Sequence, residues 1–194
     1  ASDSKSTVRY GGNTACVEVT CGEESILFDA GSGLRAAGDL IAKQARKRDA
    51  EGLDRKHLHL MFTHCHYDHI SGLPFFAPFF DRNTKIDIWS GHLAGANKTR
   101  RMIENYMSSP YFPVGPEVFA ASLTYRDFEA HDVLQPIENV VVKTLPLNHH
   151  DECIGYRVEF DNRSICYITD TTHILNEPDQ GIIEFVKDTD LMIY

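Results

Sequence analysis

The sequence predicts one α/β domain, on three observations. In the first half, short apolar runs of strand length alternate with a segment of helical periodicity. In the last third, strand-like runs dominate until one more helix and a final strand. The chain's 194 residues, 42% of them hydrophobic, suffice to bury one sizeable core. No repeat, low-complexity tract or linker divides residues 1–194, and residues 75–135 read as an inserted cap or arm.

The elements follow in order. Residues 15–20 alternate polar and apolar, and Glu23-Glu24 turns them into a second strand at 25–29. After the glycine-rich break Ala30-Gly31-Ser32-Gly33, the positions Leu34, Ala37, Ile41 and Ala45 recur at helical spacing beside a basic outer face. Residues 57–63 (HLHLMFT) form a third strand that ends in a polar cluster, and 85–89 form a fourth. Residues 92–107 read as a helix, and 108–116, with its prolines, as a loop. Strands then follow at 140–145, 154–160 and 164–169, a helix at 178–187, and a buried strand at 190–194.

Composition removes several function classes. Nineteen Lys+Arg against twenty-eight Asp+Glu leave a net charge of −9, which disfavours nucleic-acid or anionic-membrane binding through bulk charge. No apolar run is long enough to span a bilayer, and no export signal is visible, so a cytoplasmic, membrane-free protein is expected. Cys16, Cys21, Cys65, Cys153 and Cys166 form no CxxC pair and read as reduced thiols.

The chemistry concentrates at 63–69 (THCHYDH). His64 and His66 stand two apart, so in extended backbone their rings point to one side. Asp68 and His69 follow as the chain turns. Imidazole and carboxylate donors on two sides of a tight loop suit two nearby divalent ions, with zinc favoured and manganese or iron as substitutes. A histidine-rich polar loop, or a few satisfied core histidines, are the bland alternatives, disfavoured because each ring here would otherwise need its own buried partner. Further ligands must come from distant strand ends. His149 or His150 follows the strand at 140–145, and Asp170 closes the strand at 164–169, where it could equally be a turn-forming aspartate.

With these residues in view, HCHYDH at 64–69 resembles the HxHxDH signature of the metallo-β-lactamase-fold hydrolases, and FDAGSG at 28–33 resembles the strand and turn that precede it. Segments 9–16 (RYGGNTAC) and 69–76 (HISGLPFF) resemble the branch of ribonuclease Z and cyclic-phosphate phosphodiesterases. The resemblance implies a four-layer αβ/βα sandwich, with His64, His66 and His149 on a first metal. Asp68, His69 and a bridging Asp170 would hold the second. His149 is preferred over His150 because the family's ligand follows the asparagine, here Asn148. The family pattern also has an N-terminal strand and a later histidine ligand that these residues lack, so a fragment short of C-terminal elements is expected.

The expected activity is hydrolysis of a small phosphodiester, such as a cyclic nucleotide, by metal-activated hydroxide, with Asp68 orienting the nucleophile. Hydrolysis of a lactone, thioester or β-lactam, ribonuclease Z-like RNA processing, and ligand binding at an incomplete metal site are the rivals. Lys98-Thr99-Arg100-Arg101 is a small basic patch in favour of RNA. His150, His173 and Tyr67 are candidate proton donors, and Asp29 is expected to brace the metal loop by hydrogen bonds. Cys65 is expected to pack behind the ligands, and His57, His59, His92 and His131 to serve structure or solvent. Phe75, Phe76, Tyr106, Tyr111 and Phe112 could line a pocket or a homodimer interface.

Overall fold

A computed structural model describes residues 11–93, 98–110, 112–150 and 152–194. Arg9, Tyr10 and Tyr111, named above, lie outside the described residues, as does 94–97 of the expected helix. The chain builds two five-stranded sheets. In the first, β1 (Val17–Cys21) and β2 (Glu24–Phe28) form an antiparallel hairpin turned at Gly22, whose φ of +63° suits glycine. Next to β2 lie β3 (Leu58–Phe62), β4 (Lys85–Ser90) and β5 (Ser122–Asp127), all parallel. Parallel neighbours need long crossover connections, and α1 (Gly33–Ala50) and α3 (Lys98–Tyr106) lie in two of them. In the second sheet β6 (Val133–Leu134), β7 (Val141–Leu147), β8 (Cys153–Phe160) and β9 (Arg163–Tyr167) run antiparallel. There β10 (Leu191–Ile193) joins β9 in parallel after α4 (Gln180–Phe185).

The period-2 alternation of strand side chains explains the layering. On β3, Leu58, Leu60 and Phe62 face outward onto Leu34, Phe76 and Ile103, whereas Met61 faces the second sheet. Ile26, Phe28, Val142, Ile154, Tyr156 and Val158 fill the space between the sheets with it. On the far side, Leu147, Cys166 and Ile168 pack against Ile182 of α4. The result is helix, sheet, sheet, helix, the expected four-layer sandwich. All five residues of β3 are buried, as a strand covered on both faces requires. Among the described residues no helix is long and apolar enough to cross a membrane, and all five cysteines are free of disulfides.

Three expectations need correction. Residues 75–135 are not an insertion with those bounds, because β4 and β5 within them are integral strands of the first sheet. β5 (SLTYRD) escapes a sequence reading because it is polar and lies on the sheet edge, with only alternate residues half-buried. The terminal strand is not buried. β10 lies at the edge of the second sheet and leaves Leu191 and Met192 exposed. Phe76 serves neither pocket nor interface, since it lies wholly inside the outer core.

Candidate metal centre

The site assembles where strands of both sheets end on the same side. Asp29 follows β2, and the loop 63–69 follows β3, leading into the single turn α2 (Tyr67–Ile70). His149 follows β7 and Asp170 follows β9. The amide of Ile154 donates to the carbonyl of Thr63 at 2.9 Å, tying the second sheet to the foot of the metal loop. Glycines let the loops close. A Cβ on Gly31 would stand 2.3 Å from the Asp68 carbonyl, and one on Gly72 would stand 2.2 Å from the Gly31 carbonyl. Asp29 and Asp170 both turn the chain with positive φ, +60° and +52°, a conformation aspartate tolerates better than most residues.

Two overlapping sets of donors form there. His64, His66 and His149 bring ligand atoms within 4.8 Å of one another, and so do His64, His69 and Asp170. His149 Nε2 lies 3.1 Å from His66 Nδ1, and His69 Nε2 lies 3.0 Å from Asp170 Oδ2. Asp68 stands at the rim, 3.5 Å from His69 Nε2 and mostly exposed. Thus His64 belongs to both sets, where sequence reasoning assigned it to one, and Asp68 lies outside the tight second set. The structure brings His149 rather than His150 into the cluster; His150 is exposed, with its ring centroid 5.9 Å from that of His149. His173 instead contacts the Tyr194 hydroxyl.

One buried carboxylate orients the histidines. Asp29, with no solvent exposure, accepts from the Thr63 amide at 2.8 Å and hydroxyl at 2.9 Å. It also accepts from His69 Nδ1 at 2.9 Å and from the Tyr167 hydroxyl at 3.0 Å. A carboxylate only accepts, so His69 must carry its proton on Nδ1, which frees Nε2 for a metal. The Thr63 hydroxyl, having donated to Asp29, can accept at 3.0 Å from His64 Nδ1. That leaves His64 Nε2 buried, unprotonated and without a partner. An orphaned imidazole nitrogen aimed among other donors fits a metal ligand, and it is the direct test that these residues suit divalent ions.

Electrostatics act on the donors in different directions. Burial, then the neighbouring His69 and His66, push the His64 imidazole down to about 3, so it stays neutral. Burial opposes protonation of His69, but its hydrogen bond to Asp29 and the charges of Asp29, Asp170 and Asp68 outweigh it and raise the group. Burial raises Asp170, yet the Thr169 hydroxyl and the surrounding histidines hold it below the usual carboxylate range. Cys153 touches His64 Nδ1 at 3.7 Å, but burial and then Asp29 and Asp170 push its thiol up to about 12, so it packs as a neutral group. Cys65 packs against the outer core. His57 is paired with Asp87 at 3.0 Å, His59 and His92 are buried, and His131 is exposed.

Sequence reasoning missed Thr63 and Tyr167 as partners of Asp29. Tyr167 lies 138 residues from Asp29, and nothing local marks it. Thr63 carried a signal, since a hydroxyl closing a strand directly before a ligand is well placed to hold that ligand's second nitrogen.

Comparison with known proteins agrees with this geometry. Residues 24–194 match the sequence profile described as Beta-lactamase superfamily domain. Ribonuclease Z of Pyrococcus furiosus is 25% identical over 148 residues, covering 74% of this chain and 41% of that protein, so the chain spans less than half its relative's length. Among solved structures, the short form of human tRNase Z superposes with a TM-score of 0.61 at 20% identity, over 93% of this chain and 70% of that one. YhfI of Bacillus subtilis, a metallo-β-lactamase fold protein, gives 0.60 at 19% identity, over 94% and 63%. The sandwich is therefore the metallo-β-lactamase fold, and the chain belongs to the β-lactamase superfamily.

Proposed function

We propose that this chain carries the active centre of a metal-dependent hydrolase whose substrate is a phosphodiester. The observation that carries the reading is the pair of donor sets sharing His64, which supports two neighbouring ions. His64, His66 and His149 would hold one ion; His69 and Asp170, with Asp68 at the rim, would hold the other, zinc being the first choice and manganese or iron the alternatives. Such ions supply Lewis acidity and activate water near neutral pH. The protein's own groups do the rest. Asp29 and Thr63 fix the imidazole tautomers, and Asp170 stays ionised. Asp68, the exposed carboxylate of the cluster, is available to orient an attacking water.

For the substrate, one reading is a small phosphodiester such as a cyclic nucleotide. RNA processing is the second, favoured by the likeness to proteins named ribonuclease Z. Protein loaded with zinc or manganese would be assayed on bis(p-nitrophenyl) phosphate, a cyclic nucleotide, a short RNA, a lactone and a β-lactam. Turnover of phosphodiesters, lost in His66→Ala, is expected. Turnover of the carbon esters alone would end the phosphodiesterase reading, and full activity in His66→Ala would end the metal mechanism.

A further inference from the structure

Beside the metal loop opens a cleft of about 480 Å³, within the size range of small-ligand sites. Its floor is Cys65, Ile70 and Leu93, and its wall is one face of α3. Cys65 stands between His64 and His66, and Ile70 follows His69. The cleft and the candidate centre thus share one loop of the chain. The spacing 98, 101, 102, 105 lays Lys98, Arg101, Met102 and Asn105 along that face, with Tyr106 at its end.

The cations of α3 differ sharply. Lys98 Nζ is held 2.6 Å from Glu129, and Arg100 Nε 2.8 Å from Glu104. Arg101 has no hydrogen-bond or ion-pair partner among the described residues, and it lines the cleft. The basic patch at 98–101 therefore reduces to one uncompensated guanidinium facing a hole. Tyr106 lines the same hole, and Tyr67, at 72% exposure, meets it edge-on with ring centroids 6.4 Å apart. Tyr67 lies between His66 and Asp68, so this aromatic pair links cleft and metal loop. Asn105 is exposed on the same wall and offers both a donor and an acceptor.

We infer that this cleft is a substrate subsite holding the nucleotide next to the scissile phosphodiester. Arg101 takes its phosphate, Tyr67 and Tyr106 give its base a stacking surface, and Asn105 reads a base edge. The inference rests on the phosphodiester reading above and narrows it: the preferred substrate is a short single-stranded oligonucleotide, not a cyclic mononucleotide. It also accommodates the acidic surface. With one unpaired cation among the described residues of the cleft, recognition is local and spans few phosphates, so a net charge of −9 does not oppose it.

Binding without turnover separates the two claims. A 5′-labelled tetraribonucleotide would be titrated by fluorescence anisotropy against metal-loaded His66→Ala protein and against the same protein carrying Arg101→Ala, Arg101→Lys or Arg100→Ala. Arg101→Ala should weaken binding about tenfold and lower the salt slope by about 0.7, the value for one phosphate contact on a single strand. Arg101→Lys should recover part of the affinity and all of the slope, and Arg100→Ala should bind as the parent does. In the active protein, Arg101→Ala should raise KM for the oligonucleotide about tenfold with kcat within twofold. Equal affinity and salt slope in parent and Arg101→Ala, or no binding by the parent, would overturn the subsite. Binding that follows these expectations in a protein unable to cleave any phosphodiester would overturn the catalytic reading alone.

Discussion

Replacing Asp29 by asparagine tests how the site is built. Asparagine keeps the shape and tolerates the positive φ of +60°, so the backbone is preserved. One side-chain oxygen remains to accept from the Thr63 amide and hydroxyl. The other position becomes an NH₂ donor facing the Tyr167 hydroxyl at 3.0 Å and His69 Nδ1 at 2.9 Å. The tyrosine can rotate its proton and accept. His69 cannot keep its proton on Nδ1 without setting two donors against each other in a buried site, at about 1–3 kcal/mol for the broken bond. It relieves the conflict by moving the proton to Nε2, the atom 3.0 Å from Asp170 that a metal needs. Losing such a support lowers metal affinity about 10- to 100-fold, or about 1.4–2.7 kcal/mol. Competition titration of zinc against a chromophoric chelator measures this, and nitrogen NMR of the metal-free protein reports the tautomer. The weakening should fall on the His64–His69–Asp170 set and spare the His64–His66–His149 set. If both ions bind with parental affinity while His69 keeps its proton on Nδ1, the tautomer argument is wrong.

Gly72→Ala should destabilise the protein by about 3 kcal/mol, because its Cβ would meet the carbonyls of Gly31 and Ala30 at 2.2 and 3.0 Å, and backbone cannot step aside as a side chain can. Thermal unfolding should show a loss of roughly 6–12 °C for a domain of this size; a change under 2 °C would contradict the packing. His59, its pKa pushed to about 4 chiefly by burial and then by His57, supplies a pH test. Asp87 opposes that shift and Arg126 adds to it. Since the folded value lies below the unfolded 6.5, the stability His59 lends is present above pH 6.5 and is lost as pH falls toward 4. His59→Phe should flatten the fall in urea midpoint between those pH values, and an unchanged slope would assign the acid sensitivity elsewhere.

How much of the site was legible depends on how local each signal is. The helix α1 and the strands β2, β3, β7, β8 and β9 follow from period and apolar content, to within a few residues. β5 did not, because an edge strand needs neither a continuous apolar run nor a second buried face, and its pairing with β4 is a property of the sheet. The cluster 64–69 announces itself because its ligands are near neighbours. Asp170 and His149 could be named only as residues at strand ends, since their approach to the loop depends on two sheets stacking face to face.

What the sequence alone determined is therefore most of the strands and helices, the candidate metal loop and the chemical kind of its donors, all written in short-range pattern, while the layer order was implied by the family resemblance. Tertiary structure decided the rest. It placed His149 against His66, gave His64 to both donor sets, and joined Asp29 to Tyr167 across 138 residues. It also paired Lys98 and Arg100 with acids and left Arg101 facing the cleft, a difference no reading of four adjacent residues could reveal. The physical reason is common to all: a hydrogen bond or ion pair is fixed by proximity in space, and proximity between distant segments exists only once the two sheets have packed.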